Sequence, residues 1–302
     1  MYSFRVDGSK ANKLHELSSG YYQCRRTYNP KKYSDALSIF ESAFNSYDFI
    51  FLKDYKVATQ LSLYLGDKEK AFSFLRLGIS DGWTLKEIKK SKFLKSLRDK
   101  REWEIIKSQH DTLRMNYEKR LNPTLRAEIH EMFKRDQKLA FANLFKIGQK
   151  AKERFLYRKF VPQSENQMAR IKEILNEYGY PGEKLIGNSV WMLTILSHHN
   201  SISTAYTQKD TLYPRLKQRL LEAIRTGEMS PYDYAVIEDW YVAVKSERRE
   251  AAYGYLNTLT EQELPNSNKL RQEIGMHSIE VRNLLVDIQK QTGMNFYLVG
   301  GQ

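Results

Sequence analysis

The chain has 302 residues, 41% of them hydrophobic and 28% charged, and a formal net charge of +13. That balance excludes a disordered chain, and no apolar run is long enough to cross a bilayer, so the expectation is a globular protein without a membrane span. Cys24 is the only cysteine, which excludes an internal disulfide and a cysteine zinc site. The first residues carry no apolar signal region, so a cytoplasmic protein is expected unless an export signal has been removed.

Glycine and proline number 15 and 7, which favours long helices over many short strands. The expected fold class is all-α. In the first third, Tyr33-Ser34-Asp35-Ala36-Leu37 leads to Phe40 and Ala43. Ala71 follows Ala36 by 35 residues, inside Lys68-Glu69-Lys70-Ala71-Phe72, and leads to Leu75 and Gly78. Small residues at matching places let paired helices approach closely, and Leu65-Gly66-Asp67 reads as a turn, with Asp67 capping the next helix. The spacing resembles tetratricopeptide repeats, which run to about 34 residues, over two units in residues 14–80. The resemblance implies helical hairpins that bind a peptide or protein on a concave face; the alternative is a repeat pair that only supports the rest of the chain. Cys24 falls in a small-residue slot and reads as packing. Trp83, Phe93, Leu94, Leu97, Trp103 and Ile106 suggest short amphipathic helices capping the repeats. Asn122-Pro123 breaks the pattern, so the domains are read as 1–120 and 121–302.

After Pro123, Ile129, Phe133, Asp136, Ala140, Leu144, Ile147, Ala151 and Phe155 form one helical stripe. Asp136 is an acid on an apolar face, which calls for a buried partner or an edge open to water. Ile171, Ile174, Leu175 and Tyr178 mark the next helix, ended by Gly179-Tyr180-Pro181-Gly182. In the buried helix that follows, Trp191, Ile195 and His198 share a face. His199 lies about 100° away from His198, so the adjacent pair cannot chelate one metal from a regular helix. No histidine sits at metal-ligand spacing, and no cofactor motif is found. Residues 203–226 read as one helix, and Ser230-Pro231 opens another that carries Glu238-Asp239 among aromatics, either a surface edge or part of a site. Two short helices, Pro265–Gly275 and Ser278–Gln291, close the second domain.

The order of motifs from about residue 123 to 280 resembles a bacterial family of unknown function, domain-of-unknown-function family 6624. Asp136-Gln137, Tyr178-Gly179-Tyr180-Pro181-Gly182, Ile186-Gly187 and Ser230-Pro231-Tyr232-Asp233 follow its pattern. Ser197-His198-His199-Asn200 keeps the histidine of a Gln-His-Ala-Asp box, and Asp239 keeps the acid of an Asp-Arg pair whose arginine is here Trp240. Tyr253-Gly254 remains of a box that has lost both glutamines, and Arg271 to Gly275 fits the closing segment. The resemblance implies a polar pocket, in a degenerate copy, with Gln137 and Tyr253 as ligand-binding candidates.

Three functions are compatible with these residues. The first is a protein- or peptide-binding module built on the repeats. The second is a hydrolase-like enzyme in which His198 transfers protons and Asp136 or Asp239 orients it; no serine elbow, zinc-protease motif or phosphate loop supplies the rest. The third is binding of nucleic acid or another polyanion through the basic segments. Residues 86–120 hold twelve Lys/Arg against six Asp/Glu, and residues 134–159 hold nine against two. Nucleic acid ranks last because no recognition motif accompanies the charge.

Overall fold

The structure is a computed structural model that describes residues 30–298. Cys24 and the front of the first repeat-like unit lie outside the described residues. Among these residues the secondary structure is helical and contains no strand. No described helix is long and apolar enough to cross a membrane. The chain forms two compact units.

The first unit contains α1 (Pro30–Ser46), α2 (Leu52–Tyr64), α3 (Lys68–Ser80), α4 (Leu85–Lys90), a 3-10 turn (Phe93–Leu97) and α5 (Arg101–Arg120). A tight turn joins α2 to α3. Gly66 adopts a φ of 83°, and the Asp67 side chain accepts from the Lys70 N–H at 3.0 Å. Ala36 and Ala71 are fully buried. A Cβ on Gly78 would sit 2.8 Å from the Trp83 ring, so a side chain there would push the ring away from α3. Thr84 and Glu87 form a reciprocal capping box that starts α4. Arg114 donates to the Gly82 carbonyl at 3.0 Å and Arg120 pairs with Asp81 at 2.9 Å, tying α5 to the α3–α4 turn.

Residues 275–298 belong to this first unit. This differs from the expected domain of 121–302, and the reason is packing. Val281, Leu285 and Ile288 of the closing helix (Ile279–Thr292), with Met294 and Phe296 beyond it, share a core with Ala36, Phe40 and Leu61. An apolar stripe shows that a helix is buried but does not name the surface it will cover.

The second unit runs from Asn122 to Ile274. It contains α6 (Pro123–Leu144), α7 (Gln149–Phe155), a π-helical turn (Leu156–Phe160), α8 (Val161–Glu177), α9 (Glu183–Ile186), α10 (Trp191–Asn200), α11 (Thr204–Thr207), α12 (Leu212–Arg225), α13 (Pro231–Lys245) and α14 (Leu264–Glu273). Asn122 caps α6 through the Leu125 N–H at 2.9 Å, with Pro123 in the first turn. The apolar stripe read as one helix through Phe155 is broken. α6 ends at Leu144, Gly148 turns the chain at a φ of 83°, and α7 starts anew. Pro162 lacks an N–H for the helix behind it, which accounts for the wide π turn just before α8. The segment read as a single helix over 203–226 is also divided, by a break around Asp210.

α10 lies at the centre of this unit, in contact with α6, α8 and α13. The turn before it depends on glycine. Gly179 has a φ of 82°, and Glu228 comes so close that a Cβ on Gly182 would lie 2.6 Å from its carbonyl oxygen. The Glu228 carboxylate in turn accepts the Tyr180 N–H at 3.0 Å.

Candidate functional site

Trp191, Ile195 and His198 occupy one side of α10, and Trp191 and His198 both meet α6. Trp191 stacks on His130, with ring centroids 4.5 Å apart, and the Arg126 guanidinium lies 4.9 Å from the Trp191 ring. Two turns further on, the His198 Nδ1–H donates to Asp136 Oδ2 at 2.6 Å. Contacts near the starts of both helices, followed by contacts further along both, mean that α6 and α10 run side by side in the same direction.

Asp136 is only 2% exposed, whereas the His198 side chain is 31% exposed. Leaving a buried carboxylate without partners costs several kcal/mol. Here the imidazole and the Gln137 amide, 3.2 Å away, satisfy the same oxygen. Because the carboxylate binds Nδ1, the other ring nitrogen, Nε2, is the atom left for proton exchange. Phe160, at the end of the π turn, lies beside the ring with centroids 6.4 Å apart. A histidine oriented by a carboxylate can take a proton from water or a hydroxyl, or return one to a leaving group.

Asp239 has a different task. Its Oδ1 accepts from the Ala252 N–H at 3.1 Å and the Tyr253 N–H at 2.6 Å, and its Oδ2 accepts from the Tyr255 N–H. Burial raises the Asp239 pKa, and these backbone N–H groups act in the opposite direction. With both oxygens engaged by the 252–255 loop, Asp239 is a loop organiser, and the orienter of His198 is Asp136. Arg271, fully buried, clamps the same loop by donating to the Tyr253 carbonyl at 2.6 Å. Tyr253 is therefore held through its own peptide groups and buried, with its ring edge-on to Tyr234. That placement removes it as a ligand-facing residue. Neither Glu238 nor Asp239 lies on a surface edge, because both are buried. Glu238 accepts from the Tyr213 hydroxyl at 2.6 Å and pairs with Lys217.

His199 points away from its neighbour, as the helical rotation requires. Its Nδ1 lies 2.9 Å from Ser164 Oγ on α8, and its Nε2 lies 3.4 Å from Asp210 Oδ2. Burial pushes the Asp210 carboxyl upward, but the adjacent His199 ring and the N–H groups of Leu212 and Tyr213 more than offset it, leaving the pKa below its ordinary value. This serine–histidine–aspartate chain was missed in the sequence, where Ser164 is an ordinary small residue and Asp210 lies between helices. Ser164 is 3% exposed, so its hydroxyl is not presented to a substrate. The chain links α8 to the start of α12. Beside it is a cleft of about 550 Å³ lined by Tyr157, Glu165, Tyr206, Lys209 and Asp210.

The first unit has its own cleft, of about 480 Å³, lined by Lys56, Trp83, Glu87, Lys90 and Tyr297. The Lys56 ammonium lies 5.6 Å from the Trp83 ring and 5.4 Å from the Tyr297 ring. At its edge, Gln60 holds the backbone of Asn295 by two bonds of 2.8 Å each, donating to the carbonyl and accepting from the N–H.

No protein-family model, no curated protein and no solved structure matches this chain.

Proposed function

We propose that the second unit carries a general acid–base site of hydrolytic type, with His198 Nε2 as the proton-transfer atom and Asp136 as its orienter. The observation that carries this reading is the 2.6 Å bond between a buried carboxylate and the inner nitrogen of a partly exposed histidine. Water is the nucleophile this arrangement can activate. The resemblance read in the sequence to a bacterial family of unknown function implies a polar pocket and names no activity. Of the polar positions kept from its motifs, Asp136, Gln137 and His198 meet in one cluster, and Asp239, Tyr253 and Arg271 meet in another. The first is the reacting cluster and the second holds the loop.

The test is turnover of a panel of chromogenic esters, phosphoesters, amides and glycosides by the full chain. Activity on one class should fall by about 10²- to 10⁴-fold in His198→Ala, the usual contribution of a general acid–base group. No turnover on any class, or turnover indifferent to His198→Ala, contradicts the reading.

A second reading, protein or peptide binding by the repeat-like first unit, is favoured by one observation. Gln60 already clasps the backbone of Asn295 through both its N–H and its carbonyl, beside a cleft with a lysine over two aromatic rings. An acidic peptide would meet Lys56, Lys90 and Lys92 there. Capture of acidic peptides from a synthetic array should be lost in the double variant Lys90→Glu, Lys92→Glu; capture unchanged by it argues against this surface.

A further inference from the structure

The sequence places Leu144 and Ile147 on a core stripe, yet Leu144 is 73% exposed and Ile147 94% exposed. Phe141 and Phe145 are exposed as well, and pack on each other edge-to-face at 4.7 Å. These side chains gather at the end of α6 and in the turn before α7. At Gly148, a Cβ would meet nothing within 4 Å, so the turn stands clear of the protein around it. In the sequence around the apolar tip the charge is overwhelmingly positive. Residues 138–159 hold Lys138, Lys146, Lys150, Lys152, Arg154, Arg158 and Lys159, against Glu153 alone.

We propose that this turn docks the protein on an anionic lipid surface. Phe141, Leu144, Phe145 and Ile147 enter the interface between headgroups and acyl chains, and the surrounding lysines and arginines bind lipid phosphates. Apolar tips ringed by basic side chains are the pattern by which peripheral proteins lie on bilayers. Charge complementarity selects this occupant. A second copy of the chain would bring like charge against like charge. A nucleic acid would use the basic ring and the faces of Phe141 and Phe145, but its bases gain little from the two most exposed side chains, Leu144 and Ile147, which are aliphatic. A free-standing tip needs a yielding apolar phase more than a shaped groove.

Co-sedimentation of the full chain with vesicles tests the proposal. Binding is expected to vesicles of phosphatidylcholine with phosphatidylglycerol, to weaken as salt is raised, and to be far weaker on phosphatidylcholine alone. Phe145→Asp and Ile147→Asp should each lower the partition onto anionic vesicles by about tenfold or more, the equivalent of one large apolar side chain left in water. Both positions are exposed, so thermal melts should match the parent. As a gain of signal, Ile147→Trp should show a blue-shifted emission on vesicle addition that the parent protein lacks. The proposal is overturned by no binding to anionic vesicles at low salt. It is equally overturned by undiminished binding of the aspartate variants, which would mark adsorption of a basic protein without insertion, or by an Ile147→Trp emission that does not move. Retention of duplex DNA that survives Ile147→Asp, with no vesicle binding, would assign the basic ring to nucleic acid instead.

Discussion

Gln60 and Asn295, 235 residues apart in sequence, hold each other through two reciprocal hydrogen bonds of 2.8 Å. A single side-chain amide thereby fixes the chain's closing segment on α2, just where Met294 and Phe296 enter the core of the first unit. Gln60→Ala leaves a partly buried N–H and carbonyl without these partners. The expected loss is about 1–3 kcal/mol of unfolding free energy, read from urea titration. A midpoint unchanged from the parent would show that the segment is held by Met294 and Phe296 alone.

Asp239 provides a sharper contrast. Asp239→Asn replaces a carboxylate that accepts from three backbone N–H groups with an amide having one acceptor oxygen and an NH₂ facing donors. We expect a loss on the order of 2–4 kcal/mol, together with faster hydrogen exchange at Ala252, Tyr253 and Tyr255. If Asp239 were instead the orienter of His198, the substitution would depress activity while leaving exchange in this loop unchanged.

Burial holds the Asp81 carboxyl at a pKa of about 6 although Arg120 pulls it downward. The folded state therefore binds this proton more tightly than the unfolded chain, where the ordinary value is 3.8. Its contribution to stability is complete below that ordinary value and is lost as pH rises through about 6. The difference in unfolding free energy between the parent and Asp81→Asn should shift in the parent's favour as pH falls from about 7 to about 4, by on the order of 1–3 kcal/mol. A pH-independent difference contradicts the raised value.

The glycine turn before α10 is tested by Gly182→Ala. Its new methyl would sit 2.6 Å from the Glu228 carbonyl oxygen and 2.8 Å from the Tyr180 ring. Backbone must move, so a cost of about 1–3 kcal/mol is expected in thermal or chemical unfolding. A neutral outcome would show that the turn and Glu228 separate easily.

Features set by local chemistry were legible in the sequence. The Gly66–Asp67 turn, the Asn122-Pro123 helix start and the Ser230-Pro231 start are decided by a few adjacent residues, and each forms as read. The oddity of Asp136 on an apolar face was visible, because burying a carboxylate requires a partner; the partner, 62 residues away, was one of several candidates. What failed was the inference from periodicity to burial. The stripe continues through Leu144, Ile147 and Phe155, but Gly148 redirects the backbone, and periodicity carries no information about where a helix stops. Asp239 was misjudged for a related reason. Its partners are backbone N–H groups of a loop, which have no side-chain signature. The Ser164–His199–Asp210 chain left still less trace, since serine and a linker aspartate are common everywhere.

The central claim is that Asp136 fixes the His198 ring with Nδ1–H inward and Nε2 free. Nitrogen-15 NMR of the neutral imidazole reads this directly in the intact protein. The account predicts a His198 resonance pair typical of the Nδ1–H tautomer, which moves toward the mixture seen in free histidine when Asp136→Ala removes the carboxylate. An Nε2–H tautomer in the parent protein would contradict it, because the proton would then sit on the nitrogen proposed to exchange it.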